Sequence, residues 1–173
     1  MAGQAVSALR WRSMREGDID GIVTVARVAF PDHFEARACF EERFALFAQG
    51  CFVLADPATE QVKGYLIAYP WASGAIPPLD SLLGGVPQQR EAFYLHDLAL
   101  HPDARGQGYA SPVVDRLVED LRALGGREIA LVSVNDTMAF WQGQGFESVA
   151  ADEGLRRKLA SYGPDARYMR RAI

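Results

Sequence analysis

Residues 105–110 have the composition and the position needed to bind a phosphate group. They read Arg-Gly-Gln-Gly-Tyr-Ala and follow an apolar stretch at residues 93–100 that is typical of a buried strand. Glycines let the backbone approach a ligand closely, and the first N–H groups of a helix have no partner within that helix. Arg105 adds a planar guanidinium that is always charged. The sequence therefore predicts anion binding by backbone N–H groups where a strand is followed by a helix.

Two side chains of the preceding strand could move protons. Tyr94 and His96 are two residues apart, so they project from the same face of a strand. Because the unperturbed pKa of histidine lies near neutrality, His96 is the best candidate for a general base. The alternative is a core histidine whose ring nitrogens are satisfied by buried partners. Asp97 is expected on the opposite face, where a structural hydrogen bond is its favoured role.

A mixed α/β domain must position these residues. Strands are predicted at residues 9–14, 51–55, 62–70, 93–100 and 128–134, after Phe146, and at 166–172. Helices are predicted at residues 19–30, 35–48, 108–124, 136–143 and 154–162, with Asn135 and Asp136 capping the fourth. The early strands form a hairpin, whereas the later strand–helix–strand unit requires a parallel, right-handed crossover.

Residues 71–91 interrupt this pattern with several glycines and prolines. A loop of this length inside a compact domain is uncommon and is often functional. The other interpretation is a surface excursion that contains a short helix near residues 80–83.

Composition and charge limit the classes of protein that the chain can represent. Of its 173 residues, 49% are hydrophobic and 23% are charged, which favours one globular domain over residues 1–173. A net charge of −4 argues against a nucleic-acid partner. No apolar run reaches about 18 residues and no secretory signal is recognised, so we expect no membrane partner and a cytoplasmic location. Cys39 and Cys51 lack metal-site spacing and are expected to be buried free thiols.

Two sequence blocks together resemble a known family. Residues 105–110 match the Q/R-x-x-G-x-G/A motif of the GNAT N-acetyltransferase superfamily, and Asn135, Ala139 and Gly145-Phe146 match its second block. The resemblance is specific mainly over residues 93–146. Other phosphate-binding motifs do not fit, since Ser111 breaks the G-x-G-x-x-G pattern and no Gly-Lys-Ser/Thr follows.

The resemblance implies acetyl-CoA as co-substrate, and no metal. The residues that it assigns to the pyrophosphate, through their N–H groups, are Arg105, Gly106, Gln107, Gly108, Tyr109 and Ala110. Backbone groups of Leu98, Ala99 and Leu100 would hold the pantetheine arm, as in an added strand. Asn135 would meet the same arm from the neighbouring strand, although a helix cap is an equal alternative for it. Phe140 and Trp141 would flank the coenzyme.

The implied activity is transfer of an acetyl group to a primary amine of a small molecule, by direct attack through a tetrahedral intermediate. His96 would serve as the base, because histidines at the positions matching 94 and 96 remove protons in the arylalkylamine branch of the superfamily. Only the second of these positions is a histidine here, since the first is Tyr94. The rival readings are a non-catalytic acyl-CoA-binding domain and an acetyltransferase for protein N-termini or lysines. The resemblance to this family also allows a homodimer.

Trp141 is a departure from the family pattern. The superfamily often has a tyrosine four residues before the glycine of the terminal Gly-Phe, and that tyrosine protonates the leaving thiolate. An indole N–H cannot deliver a proton as a phenol does. Water, Tyr109, Tyr94, or simple stabilisation of the thiolate must then replace it.

Overall fold

The computed structural model describes residues 8–173 of the chain. These residues fold around a seven-stranded mixed sheet. The strand order is β1-β2-β3-β4-β5-β7-β6. The strands are β1 (Arg10–Ser13), β2 (Cys51–Ala55), β3 (Val62–Pro70), β4 (Ala92–Leu100), β5 (Glu128–Ser133), β6 (Glu147–Ser148) and β7 (Arg167–Ala172). The predicted mixed α/β sheet of six to seven strands is confirmed, including the hairpin of β2 with β3.

Five α-helices occur within the described residues, one in each of the five segments predicted to be helical. They are α1 (Ile19–Ala29), α2 (Arg37–Leu46), α3 (Ala110–Ala123), α4 (Met138–Gly143) and α5 (Glu153–Ala160). Helix α1 buries Ile19, Ile22 and Val23 on one side, the spacing that predicted it. Helix α3 begins two residues later than expected, because Gly108 has a φ of 78° and lies in the turn that precedes the helix.

The fourth helix is not capped by Asn135 and Asp136 as the sequence suggested. Both residues have positive φ values, 53° and 56°, and the cap is Thr137. The Thr137 N–H and hydroxyl both donate to the carbonyl of Val134. This left-handed pair turns the chain out of β5 before the helix starts.

Strands β4 and β5 separate soon after they meet. Their parallel pairing covers only Ala92–Tyr94 against Glu128–Ala130. Beyond that point β5 continues to pair with β7 along its whole length, while β4 stays on β3. The centre of the sheet is therefore split, and the cleft between the two strands is open to a ligand.

A β-bulge in β4 changes which side chains share a face. The register with β3 passes from Ile67 opposite Asp97 to Ala68 opposite Leu95, so His96 is the extra residue. An extra residue reverses the alternation of side chains along a strand. The expectation that Asp97 points away from His96 is consequently wrong: side-chain atoms of the two lie within 4.8 Å of each other.

The 71–91 segment contains no helix near residues 80–83; side-chain hydrogen bonds hold it instead. Glu42 of α2 accepts from the N–H groups of Leu83 and Gly84, at 2.5 and 2.9 Å. Asp80 accepts from the N–H of Ala36 at 2.7 Å. The segment is thus tied to the region between α1 and α2.

The sheet and its covering helices share one hydrophobic core. Cys39 and Cys51 are buried free thiols, as predicted. Within residues 8–173, no helix combines the length and the apolar character that crossing a bilayer requires.

Candidate active site

A cleft of about 720 Å³ occupies the split between β4 and β5. One end is bordered by Arg105 and Ala110 at the head of α3. The other end is bordered by residues 28–33 and by Glu35, from the connection between α1 and α2. The cleft therefore joins the predicted phosphate-binding turn to the region around His96.

The glycine turn has the conformation that backbone binding of an anion requires. Gly106 and Gly108 have φ values of 72° and 78°, which favour glycine, and a Cβ at either position would contact nothing within 4 Å. The N–H groups of residues 106–109 enter no hydrogen bond with another backbone group among the described residues. The Arg105 Nε donates to the carbonyl of Leu100 at 3.1 Å, which leaves the two terminal nitrogens of its guanidinium for a ligand.

The residues predicted to hold the pantetheine arm or to flank the coenzyme all line the cleft. They are Leu98, Ala99, Leu100, Asn135, Phe140 and Trp141. Trp141 is 7% exposed and packs edge to face on Phe140 and Phe146, with ring centroids at 4.9 and 5.5 Å.

His96 has a partner at each ring nitrogen. Nε2 lies 2.5 Å from Glu35 Oε1, and Nδ1 lies 3.0 Å from the Tyr69 hydroxyl. Its side chain is only 2% exposed, yet the residue borders the cleft. A carboxylate on one ring nitrogen fixes the proton there, which leaves the other nitrogen basic.

Glu35 is held in turn by a buried arginine. Arg43 Nη2 donates to Glu35 Oε2 at 3.0 Å, and the backbone N–H of Asp80 donates to the same oxygen at 3.2 Å. Burial acts to raise the pKa of Glu35, but the bonds and charges of His96 and Arg43 outweigh it and lower that pKa. Glu35 is therefore an anion at neutral pH.

Arg43 was not predicted as a site residue, although the sequence contains a signal for it. It lies three residues after Phe40 and four before Phe47, on the buried side of α2. A charged residue at an apolar position of a helix indicates a buried partner.

Asp97 lies beside this pair at the inner part of the cleft. Its Oδ2 accepts a hydrogen bond from the Tyr65 hydroxyl at 3.0 Å, so the predicted structural hydrogen bond is present. Burial raises the pKa of Asp97 to about 6. Atoms of Glu35, His96 and Asp97 lie within 4.8 Å of one another.

Three tyrosines differ in their relation to the cleft. Tyr94 borders it at the last residue of β4 that pairs with β5. Tyr162 also borders it and was not predicted; its hydroxyl donates to the carbonyl of Pro77 at 2.7 Å. The Tyr109 hydroxyl instead accepts from the N–H of Leu9 at 3.2 Å, on the side of β1.

Fold and cleft define an α/β domain that can bind an extended ligand between two splayed parallel strands. The sequence model of the Acetyltransferase (GNAT) family matches residues 9–146. The chain therefore belongs to the GNAT acetyltransferase family. A comparison with curated proteins found no match.

Several solved structures share the fold. Ard1 from Thermoplasma volcanium superposes with a TM-score of 0.73 at 16% identity, over 96% of this chain and 98% of that one. The GphF GNAT-like decarboxylase, in complex with isobutyryl-CoA, gives 0.78 at 19% identity over 94% and 98%. N-acetylglutamate synthase from Neisseria gonorrhoeae, complexed with coenzyme A and N-acetyl-glutamate, gives 0.67 at 16% identity over 96% and 35%. Two of these structures contain a coenzyme A species, in agreement with the co-substrate expected from the sequence.

Proposed function

We propose that the protein is an acetyl-CoA-dependent N-acetyltransferase that acts on the primary amine of a small molecule. The observation that carries this proposal is the cleft itself. It runs from the glycine turn to a buried group of titratable side chains, so that an anion-binding end and a proton-accepting end share one space.

The residues at the first end fit a coenzyme A ester. The N–H groups of residues 106–109 and the Arg105 guanidinium would bind its pyrophosphate. The edge of β4 over residues 98–100 has no partner strand on the β5 side, so it would bind the pantetheine arm through backbone groups. Asn135 and Phe140 would cover that arm from the opposite wall. When bound, the ester supplies an activated acetyl group.

His96 is the base in this proposal. An alkylammonium has a pKa of roughly 10, so about one molecule in a thousand is free base at pH 7 and a proton acceptor is needed. Glu35 fixes a proton on Nε2 of His96 and leaves Nδ1 to accept one from the amine. The Tyr69 hydroxyl, which occupies Nδ1 in the structure, must release that nitrogen during the transfer.

Tyr94 is the proposed donor to the departing thiolate. It borders the cleft where the strands begin to separate. Burial raises its pKa well above the usual value, so it stays protonated and can donate. Trp141 is then a packing residue that helps to shape the wall.

Release of coenzyme A thiol in the presence of a panel of primary amines tests the function. We expect amine-dependent release and a thermal shift on adding coenzyme A alone. A thermal shift without turnover for any amine or peptide would instead favour a non-catalytic acyl-CoA-binding domain. Peptide N-termini belong in the panel because the fold also resembles the NatC complex bound to Gag peptide and CoA, at a TM-score of 0.69 and 14% identity.

A further inference from the structure

We infer that the acceptor is a cationic amine that carries no carboxylate, and that Asp97 binds its ammonium group. This inference rests on the proposed function and narrows its substrate class. It follows from the distribution of charge along the cleft, from the lack of a salt-bridge partner for Asp97 within residues 8–173, and from the position that the bulge gives to this side chain.

The two ends of the cleft have opposite charge. Among the described residues that line it, Arg105 is the one lysine or arginine, and it lies at the glycine turn. The carboxylates that line the cleft are Asp32, Glu35 and Asp97. Glu35 is bonded to His96, which lies four residues before Leu100, the residue whose carbonyl accepts from Arg105. An anionic donor therefore meets the positive end, and the acceptor meets the negative end.

Of the two carboxylates next to His96, Glu35 and Asp97, it is Asp97 that carries an uncompensated charge. Glu35 is neutralised by Arg43 at 3.0 Å and bonded by His96 at 2.5 Å. Asp97 has no salt-bridge partner within residues 8–173, and its side-chain hydrogen bond comes from the neutral phenol of Tyr65. A carboxylate removed from water is costly unless a cation accompanies it. A bound ammonium group would supply that cation.

The bulge in β4 places this charge where an acceptor nitrogen is needed. Without the extra residue, Asp97 and His96 would project from opposite faces of the sheet. With it, their side-chain atoms lie within 4.8 Å of each other. An amine held by Asp97 would therefore lie next to the proposed base.

A divalent metal ion is a weaker occupant of the same place. Glu35 would have to give up Arg43 or His96 to coordinate it, and the buried Arg43 cation would repel it. An ammonium group needs only Asp97 and leaves the pair of Glu35 with Arg43 intact.

Apolar side chains form part of the acceptor end. Val28, Phe30 and Leu79 line it, which suits an alkyl or aryl body. A carboxylate on the acceptor would find no lysine or arginine there and would face Asp32 and Glu35. The inference therefore excludes amino acids, the acceptor class suggested by the product bound in the N-acetylglutamate synthase structure.

Binding of matched acceptor pairs to the complex of the protein with coenzyme A tests this inference without requiring turnover. Each pair is an amine and the amino acid that differs from it by one carboxylate, such as phenethylamine and phenylalanine, or butane-1,4-diamine and ornithine. Titration calorimetry at pH 7.5 measures the dissociation constants. We expect the amine of at least one pair to bind at least about tenfold more tightly than its amino acid, because one charge-assisted contact is worth that much. Asp97→Asn should abolish this preference.

Asp115→Asn, at an exposed position of α3, removes the same charge elsewhere and should leave the preference intact. Equal binding within every pair, no binding of either member, or an unchanged preference in Asp97→Asn would overturn the inference. Failure of the proposed function looks different: the amines would bind as expected, but no thiol would be released from acetyl-CoA.

Discussion

Arg43 and Glu35 form an ion pair in the core, with Nη2 and Oε2 3.0 Å apart and side chains that are 1% and 5% exposed. Two other guanidinium nitrogens of Arg43, Nε and Nη1, are buried and have no hydrogen-bond partner among residues 8–173. A pair buried at this depth gives little net stability compared with apolar residues. Its value lies in keeping Glu35 ionised beside His96.

Arg43→Met should therefore destabilise the protein strongly. Removing one partner leaves the other charge buried and unpaired, which costs about 3–5 kcal/mol. The free energy of unfolding in urea measures the effect. The double variant Arg43→Met, Glu35→Gln should recover much of the loss, because no unpaired charge remains. A double variant as unstable as the single one would contradict this account.

His96→Gln should lower kcat/KM for the amine by about 10²–10⁴-fold, the usual range for a general base. The ionisation that reports the general base should disappear from the pH profile of kcat/KM. Coenzyme A affinity should stay the same. His101→Gln is the matched control, because His101 is not among the residues that line the cleft. An unchanged pH profile in the His96 variant would rule out His96 as the base.

Tyr94→Phe should lower kcat by about 10²-fold or more if its hydroxyl protonates the thiolate. Trp141→Tyr, which restores the residue usual in the family, should give no gain, because Tyr94 already supplies the proton. A rapid-quench measurement of acetyl transfer separates this step from product release. A large increase in kcat for Trp141→Tyr would show that thiolate protonation limits the natural protein and that Tyr94 does not perform it.

Gly108→Ala should weaken coenzyme A binding. The glycine has a φ of 78°, where a side chain costs about 1 kcal/mol or more, so the turn will change shape although space for a Cβ is free. The thermal shift on adding coenzyme A should fall accordingly. Gly143→Ala is the control, since that position also has free space and no positive φ. Equal thermal shifts for the two variants would argue against the turn as the binding element.

Asp97→Asn should change how stability depends on pH. The folded pKa of about 6 lies above the unfolded value near 3.8. The native state therefore favours the protonated acid, and the stability that this gives is present below about pH 4 and lost as the pH rises through 6. Between pH 4 and pH 7.5, the free energy of unfolding of the variant should therefore rise by about 2 kcal/mol relative to that of the natural protein. Parallel pH profiles of unfolding would exclude a raised pKa at this site.

Much of the turn before α3 could be predicted because its signals are local. Residues 105–110 combine glycine, a positive charge and a helix start within one short stretch, and Gly106 and Gly108 have the positive φ values that such a turn requires. Strand β2 was predicted at its observed bounds, because a short apolar run between polar turns is compatible with few other secondary structures.

The acceptor end could not be predicted in the same way, because its relationships are tertiary. Glu35 and Arg43 are eight residues apart, and Glu35 meets His96 across 61 residues. The bulge at His96 leaves no mark in the apolar pattern of residues 93–100, so simple alternation placed Asp97 on the wrong face. The left-handed turn at Asn135 and Asp136 was mistaken for a cap, because both residue types are common at either position.

The hydrogen bonds from Leu83 and Gly84 to Glu42, and from Ala36 to Asp80, have a consequence for how this sequence can vary. A segment rich in glycine and proline would ordinarily tolerate insertions and exchanges between relatives. Here Glu42 of α2 binds the N–H groups of Leu83 and Gly84, and Asp80 binds the N–H of Ala36, so the length of the segment is fixed by these contacts. Among homologues, acidic residues at positions 42 and 80 should be gained and lost together with the length of the 71–91 segment, as a single inherited unit.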